Sequence, residues 1–254
     1  MKLSIITTSL NSAKTIGDSI KSVLAQNYAD IEHIFIDGGS TDGTLEIVKK
    51  CDGEYKSSGR TIKVVSEKDN GMYDAMNKGI KMATGDIIGI LNSDDFYASD
   101  DVITTVVAEF EKSQADCVWS DLVYVDKTDP SHVVREWKSS PYKEGSFEKG
   151  WHPPHTTFFV RKGIYEKYGL FRTDLSTACD YELMLRFIEK NRISSSYIPQ
   201  VLVKMRAGGA SNNCYWTRFK ANIGCYKAFR LNNLKVGISF ILRKPLSKLG
   251  QFIK

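Results

Sequence analysis

The chain has 254 residues, of which 42% are hydrophobic and 26% charged, with a net charge of +5. That is the make-up of one large globular domain, or of one domain with an appendage, and it excludes disordered, collagen-like and low-complexity classes. No apolar run approaches the roughly 18 residues of a membrane span, and the apolar stretch Leu3–Thr7 is too short for a secretory leader, so the chain reads as cytoplasmic.

Leu3–Thr8 reads as a buried strand. Ser12–Gln26 reads as a helix with Ile16, Ile20, Val23 and Leu24 on one face and Asn11 or Ser12 as its cap. Ile31–Asp37 is the next strand, and the turn Gly38–Gly43 leads into a helix over Thr44–Lys50. Ile62–Ser66 is a third strand. Met72–Ala83 is a helix whose stripe is Met72, Met76, Ile80 and Ala83. Ile87–Leu91 is a fourth strand, and Val102–Glu111 a fourth helix. This alternation predicts βαβ units: an α/β fold with a mostly parallel central sheet and helices on both faces.

Cys117–Asp126 and Val133–Trp137 are strands without an intervening helix, which predicts a mixed or antiparallel extension. Thr156–Arg161 reads as another strand and Asp180–Lys190 as a helix. Tyr197–Met205 reads as a strand interrupted at Pro199. From Tyr215 the chain is helical and basic, so the expected division is a body over 1–212 and a helical extension over 213–254.

Charge follows that division. Residues 190–254 carry thirteen Lys and Arg and no acid, whereas residues 1–189 sum to −8. The five cysteines are scattered, with no CxxC pair, which fits reduced thiols better than a disulfide framework or a zinc site.

In open α/β sheets ligands bind beyond the carboxyl ends of the strands. Those ends carry Asp37, Asp69 (with Glu67 nearby), and Asp94 with Asp95. Unpaired carboxylates on one rim repel unless a cation joins them, and hard oxygen ligands favour Mg²⁺ or Mn²⁺. The rim therefore reads as a nucleotide or diphosphate site. Neither GxxxxGK[ST] nor GxGxxG is present, so phosphate charge would be met mainly by metal.

The segments Ser4–Asn11, Phe35–Thr44, Asp69–Gly79, Leu91–Asp95 and Cys179–Arg186, in this order, resemble the inverting glycosyltransferases of family two, which have the GT-A fold. The nearest likeness is to bacterial enzymes of O-antigen, capsule or exopolysaccharide assembly. The resemblance implies that Thr8 and Asp37 lie against the nucleoside, typically uridine, and that Asp69 and the Asn70–Asn77 segment line the donor pocket. It implies that Asp94 and Asp95 form the metal-binding element, one of them also on the ribose or sugar, and that Asp180 is the general base. Three positions depart from the family pattern. Gly38 stands where a second Asp is common, Asn92 opens the metal element, and Cys179 replaces an acid before the base.

His155 precedes a Thr–Phe strand as in that family, which places it near the acceptor or diphosphate; the alternative is a structural histidine in a Pro-rich loop. Gly208–Ser211 is similar to the family's loop near the donor, or is an ordinary turn. Arg206 and Arg186 are charge candidates near the site, Arg186 more simply as the partner of a carboxylate. Lys235–Lys254 mixes nine apolar with five basic residues, which suits an interfacial helix, broken near Pro245, on an anionic membrane surface. Its alternative is a helix packed on its own domain or on a dimer partner. The expected function is metal-dependent, inverting transfer from a UDP-sugar to a saccharide acceptor, lipid-linked, at the inner face of the membrane. Nucleic acid is not an expected partner. The alternatives are a sugar nucleotidyltransferase on a related sheet and a non-catalytic saccharide-binding protein.

Overall fold

The structure is a computed structural model that describes residues 1–208, 215–241 and 244. Its first half is built from β1 (Leu3–Ser9), α1 (Ile16–Leu24), β2 (Ile31–Asp37), α2 (Thr44–Lys50), α3 (Asp52–Ser57), β3 (Thr61–Ser66), α4 (Met72–Met82) and β4 (Ile87–Ile90). The four strands lie in the order β3-β2-β1-β4, all parallel. The register sets Ser9 beside Asp37 and Asp37 beside Ser66, so the carboxyl ends share one edge. Alternate side chains feed two cores. Leu3, Ile5, Ile31 and Phe35 pack under α1, while Ile6, Ile34 and Ile36 pack under α4. Both faces are covered, so every residue of β1 and β2 is buried, including Ser4, Glu32 and His33.

The second half is mixed, as the missing helix after residue 117 predicts. It comprises β5 (Phe96–Tyr97), α5 (Val102–Ser113), β6 (Cys117–Val125), β7 (Val133–Trp137), a 3-10 turn at His155–Thr157, β8 (Phe159–Arg161) and α6 (Lys162–Tyr168). After these come α7 (Cys179–Met184), one π turn over Leu185–Lys190, β9 (Ser195–Arg206) and α8 (Tyr215–Leu231). β8 joins the halves, antiparallel to both β4 and β6. β9 runs parallel to β6, and its register skips across Pro199 and Gln200, as the break in the sequence suggests.

Several local expectations are corrected. The first helix begins at Ile16, and Asn11 instead takes a left-handed turn conformation with φ 51°. Met72 is 47% exposed; the buried stripe of α4 starts at Ala75, with Met76, Gly79 and Ile80. Gly79 is required there by contact, since a Cβ would lie 2.5 Å from Cγ2 of Ile6. The helix expected over Asp180–Lys190 divides into an α and a π turn.

The extension is not set apart from the body where it is described. Cys225, Ala228, Phe229 and Phe240 belong to the core cluster that holds Ile6 and Met76. A continuous helix from Lys235 is absent, because Lys235–Gly237 are irregular. Ile238 is 75% exposed, whereas Phe240 is buried and Lys244 places its ammonium 3.9 Å from the Tyr181 ring centre. The remainder of the expected interfacial helix lies outside the described residues, as does most of Gly208–Ser211. Among the described residues no helix is long and apolar enough to cross a membrane.

Candidate active site

The rim expected from the strand ends is real, but its carboxylates are not all unpaired. Asp37 Oδ1 accepts from Ser9 Oγ at 3.1 Å and from Ser40 Oγ at 2.5 Å. Its Oδ2 accepts from Ser66 Oγ at 2.7 Å and from the amides of Ser40 and Gly39 at 2.9 and 3.2 Å. Burial opposes ionisation of Asp37, but hydrogen bonds from Ser40, Ser66 and Ser9 hold its carboxyl below the usual range. Asp37 thus shapes the turn after β2 and has no open lone pair. Asp69 accepts from Lys78 Nζ at 2.7 Å, and the same ammonium reaches Glu67 at 2.8 Å. Crowding that suggested a metal across the whole rim is therefore resolved internally at two of its stations.

The other expected donor residues divide in the same way. Thr8 lies nearly buried at the end of β1. Asn70 is exposed and caps the approach to α4 through its amide, which donates to Asp74 Oδ2 at 3.1 Å. Asn77 is committed elsewhere. Its Nδ2 donates to the carbonyl of Phe171 and its Oδ1 accepts from the same residue's amide, both at 2.9 Å. It clips the 169–175 loop to α4 and so holds the segment that leads into α7.

The turn after β4 is where the halves meet. Asp94 is half-buried, and among the described residues its carboxylate has no hydrogen-bond partner. Asp95 is fully buried. Its Oδ2 accepts from Asn92 Nδ2 at 2.9 Å and its Oδ1 from the amide of Arg206 at 3.2 Å. Burial first, and Asp94 second, push the Asp95 carboxyl well above the usual range. Arg206 locks this turn from the end of β9. Its Nη1 donates to the Asp94 carbonyl at 2.7 Å, its Nη2 pairs with Asp18, and its guanidinium sits 5.0 Å from the Phe96 ring centre. Arg206 was a charge candidate from sequence, but its task was not legible, because it closes on Asp95 from more than a hundred residues away. Arg186 does pair with a carboxylate, donating from Nε to Glu182 at 3.0 Å.

From Asn92 a line of polar side chains crosses to α7. Asn92 Nδ2 lies 3.4 Å from His155 Nε2, and His155 Nδ1 lies 3.6 Å from Asp180 Oδ2. With the Asn92 amide donating, Nε2 accepts and the proton sits on Nδ1, facing the carboxylate. Asp180 is at the start of α7, its Oδ1 accepting from the Tyr181 amide at 2.7 Å. Its side chain is 22% exposed, and that of His155 27%. The structure thus links Asp95, Asn92, His155 and Asp180 in one line, with Asp94 next to Asp95 in the same turn. His152 stands apart, edge-on to Trp137 and Tyr181.

The fit for a divalent cation is partial and specific. Asn92 Oδ1 is buried with no hydrogen-bond partner among the described residues, next to a carboxyl whose ionisation burial disfavours. A cation would supply what both lack. Among the described residues no three His, Cys, Asp or Glu converge as a metal cage. The protein would then offer one or two oxygens and leave the others to phosphate and water, as Mg²⁺-type sites do.

A parallel half-sheet that ends in carboxylates, joined to a mixed half that sets one carboxylate opposite them, defines a GT-A transferase. The chain belongs to glycosyl transferase family 2, whose match spans residues 4–169. A PGL/p-HBAD biosynthesis glycosyltransferase of Mycobacterium bovis is 28% identical over 210 residues, covering 82% of this chain and 78% of the relative. A glycosyltransferase of Mycobacterium tuberculosis is 33% identical over 191 residues, covering 72% and 68%. Among solved structures, S. aureus TarS 1-349 with UDP-GlcNAc superposes with a TM-score of 0.67 at 16% identity, covering 98% of this chain and 73% of that one. The mannosyltransferase PcManGT of Pyrobaculum calidifontis, with GDP-Man and Mn²⁺, gives 0.68 at 17% identity, covering 98% and 70%. The protein is accordingly a glycosyltransferase, and the nucleotidyltransferase and non-catalytic alternatives fall away. Asp180 and Arg206 lie beyond residues 4–169 that the family model matches, so their roles rest on geometry.

Proposed function

We propose that this chain transfers a sugar with inversion from a nucleoside-diphosphate sugar, UDP-linked, to a saccharide hydroxyl, with Asp180 as general base. The observation that carries the proposal is the line Asp95–Asn92–His155–Asp180, which runs from the turn after β4, where Asp94 also sits, to the start of α7. Inversion is one displacement at the anomeric carbon. The bond from the acceptor oxygen forms as the bond to the diphosphate breaks, and the hydroxyl proton passes to Asp180. His155, with Nδ1 3.6 Å from Asp180 Oδ2, stands beside that carboxylate and orients it. Asp94 would hold Mn²⁺ or Mg²⁺, with Asp95 and Asn92 setting its turn. When bound, the cation supplies positive charge where the leaving diphosphate gains negative charge. Thr8, Asp69 and Asn70 border the donor side; Asp37 supports it through the turn after β2, and Asn77 supports the base side through the loop before α7. Structural neighbours bound to UDP-GlcNAc and to GDP-Man with Mn²⁺ support a nucleotide-sugar donor and a divalent ion.

Titrating UDP and GDP calorimetrically, with and without Mn²⁺, tests the donor half. Metal-dependent binding of UDP is expected, and preference for GDP would move the donor assignment. Asp180→Asn should lower transfer by roughly 10²- to 10⁴-fold and leave donor affinity within about twofold. Equal loss of both would make Asp180 structural.

We further propose a lipid-linked acceptor of bacterial surface polysaccharide assembly at the inner membrane face. The acid-free stretch 190–254 supports this through its attraction to anionic lipid. Sedimentation with anionic vesicles checks it. Deletion of 245–254 should weaken association, and unchanged sedimentation would sink the membrane role.

A further inference from the structure

At the end of β2 the carboxylate oxygen open to a ligand comes from a neighbouring turn. Asp37 is saturated by its own turn, and Gly38, which follows it, has no side chain. Asp69 reaches over from the turn after β3. A Cβ on Gly38 would lie 3.2 Å from Asp69 Oδ2 and 3.5 Å from Leu10 Cδ1, so both side chains border the space that Gly38 leaves open. Lys78 holds Asp69 Oδ1 at 2.7 Å. Oδ2 accepts no hydrogen bond among the described residues, although the Asp69 side chain is only 10% exposed. A mostly buried carboxylate oxygen without a donor is costly, and a ligand that brings one relieves that cost. Leu10 is 61% exposed and supplies an apolar surface beside it.

Position says which part of a nucleotide meets this oxygen. The strands lie in the order β3-β2-β1-β4. Gly38 therefore ends a strand two places, or about 10 Å, from the one that leads to Asp94. With the diphosphate at Asp94, the ribose spans that interval and the base arrives over Gly38. A flat ring laid against Leu10 turns one edge to Asp69. The missing side chain at Gly38 permits the close approach.

We infer that Asp69 reads the nucleobase through a single N–H at its edge, and that Gly38 keeps the seat open. The inference rests on the nucleoside-diphosphate-sugar reading given above. Lys78 already engages Oδ1, which leaves Oδ2 for one donor. Uracil presents one, N3–H, between two carbonyls. Cytosine in the same seat turns the lone pair of its N3 to the oxygen, and guanine presents two adjacent donors. A hydrogen bond to a charged group is worth roughly tenfold to hundredfold in affinity.

Calorimetric titration of the full-length protein with Mn²⁺ and UDP, CDP, GDP or N3-methyl-UDP tests this. UDP should bind roughly tenfold to hundredfold more tightly than CDP or N3-methyl-UDP. The methylated ligand removes the N–H without changing the protein, so that comparison does not depend on a variant that folds. Asp69→Asn, whose amide can donate as well as accept, should weaken UDP roughly tenfold and abolish the preference over CDP. Gly38→Ala, which sets a Cβ 3.2 Å from Oδ2, should also weaken UDP. Equal binding of UDP and CDP by the unaltered protein would put a ribose hydroxyl, and not a base N–H, on Asp69 and overturn the inference. A preference for GDP, or an Asp69→Asn variant that keeps the full preference for UDP over CDP, would overturn it too. Metal-dependent nucleotide binding would survive each of those results. Absence of binding by all four nucleotides would instead overturn the transferase reading, and this inference with it.

Discussion

Arg206→Met tests the joint between the two halves of the sheet. The substitution keeps an apolar stem of similar length and removes the guanidinium. Three interactions go. The Asp94 carbonyl loses a charged donor at 2.7 Å, a bond of about 1.5–3 kcal/mol. Stacking on Phe96 at 5.0 Å contributes about 0.5–1 kcal/mol. The pair with Asp18, whose side chain is 51% exposed, is discounted for solvent to about 0.5 kcal/mol. Asp95 keeps its bond to the Arg206 amide, because that donor is main chain. The expected loss is about 2.5–4.5 kcal/mol in urea unfolding at pH 7. Arg206→Lys, which retains the charge but not the fork, should lose about half of that. Because the missing bond holds the carbonyl of Asp94 itself, metal-dependent UDP affinity should fall in both variants, and metal-independent binding should fall less. A loss under about 0.5 kcal/mol with unchanged metal dependence would refute the view that Arg206 locks this turn.

Other consequences can be checked as directly. Burial holds His33 down to about 3, against a usual value of 6.5, so its contribution to stability is complete above pH 6.5 and is lost as pH falls toward 3. Between pH 7 and 5 this amounts to about 2 kcal/mol, and His33→Gln should flatten that part of the stability profile; an unchanged slope would exclude His33 as its source. Glu32 acts in a separate window. Burial opposes its ionisation, but bonds from Lys63, Thr84 and Ser4 hold it at about 2, so its contribution disappears between pH 4.5 and 2. Glu32→Gln should abolish that lower step in a chemical-denaturation series. Gly79→Ala drives a Cβ to 2.5 Å from Ile6 and should destabilise by about 1–3 kcal/mol; a neutral result in thermal unfolding would mean that α4 can lift off β1 freely. Phe240→Ala opens space beside Tyr181 and Phe229 and should destabilise by about 3–5 kcal/mol. It should lower kcat more than UDP affinity, and the opposite order would detach the C-terminal segment from the base.

The parallel half was legible because β1, β2 and β4 are short segments rich in Ile, Leu and Phe that alternate with amphipathic helices. α3, β5 and α6 were not, being short and without a stripe long enough to show a period. The same limit applied to the site. That acids collect at the strand ends follows from the sequence; that Asp37 is saturated does not. Its partners Ser9 and Ser66 come from neighbouring strands and become visible only once the register is known. Asn77 was read as a donor contact because it sits in a donor-like motif, but its partner, Phe171, lies 94 residues away. Asp180 shows the opposite case. As a helix-start acid it was ambiguous, and the approach of His155 and Asn92 gives it a setting.

Tyr181 follows Asp180 directly, and its ring is backed by Phe229, Phe240 and the ammonium of Lys244. The order of synthesis gives this packing a temporal meaning. Chains leave the ribosome at about 5–20 residues per second, amino end first. β1 through β4 can therefore pair while residues 195–244 are still being made. The turn that bears Asp94 gains its Arg206 lock, and the helix that bears Asp180 its backing, only when those residues arrive. A nascent chain or a product of premature termination would thus hold the parallel half-sheet with neither that turn locked nor that helix supported.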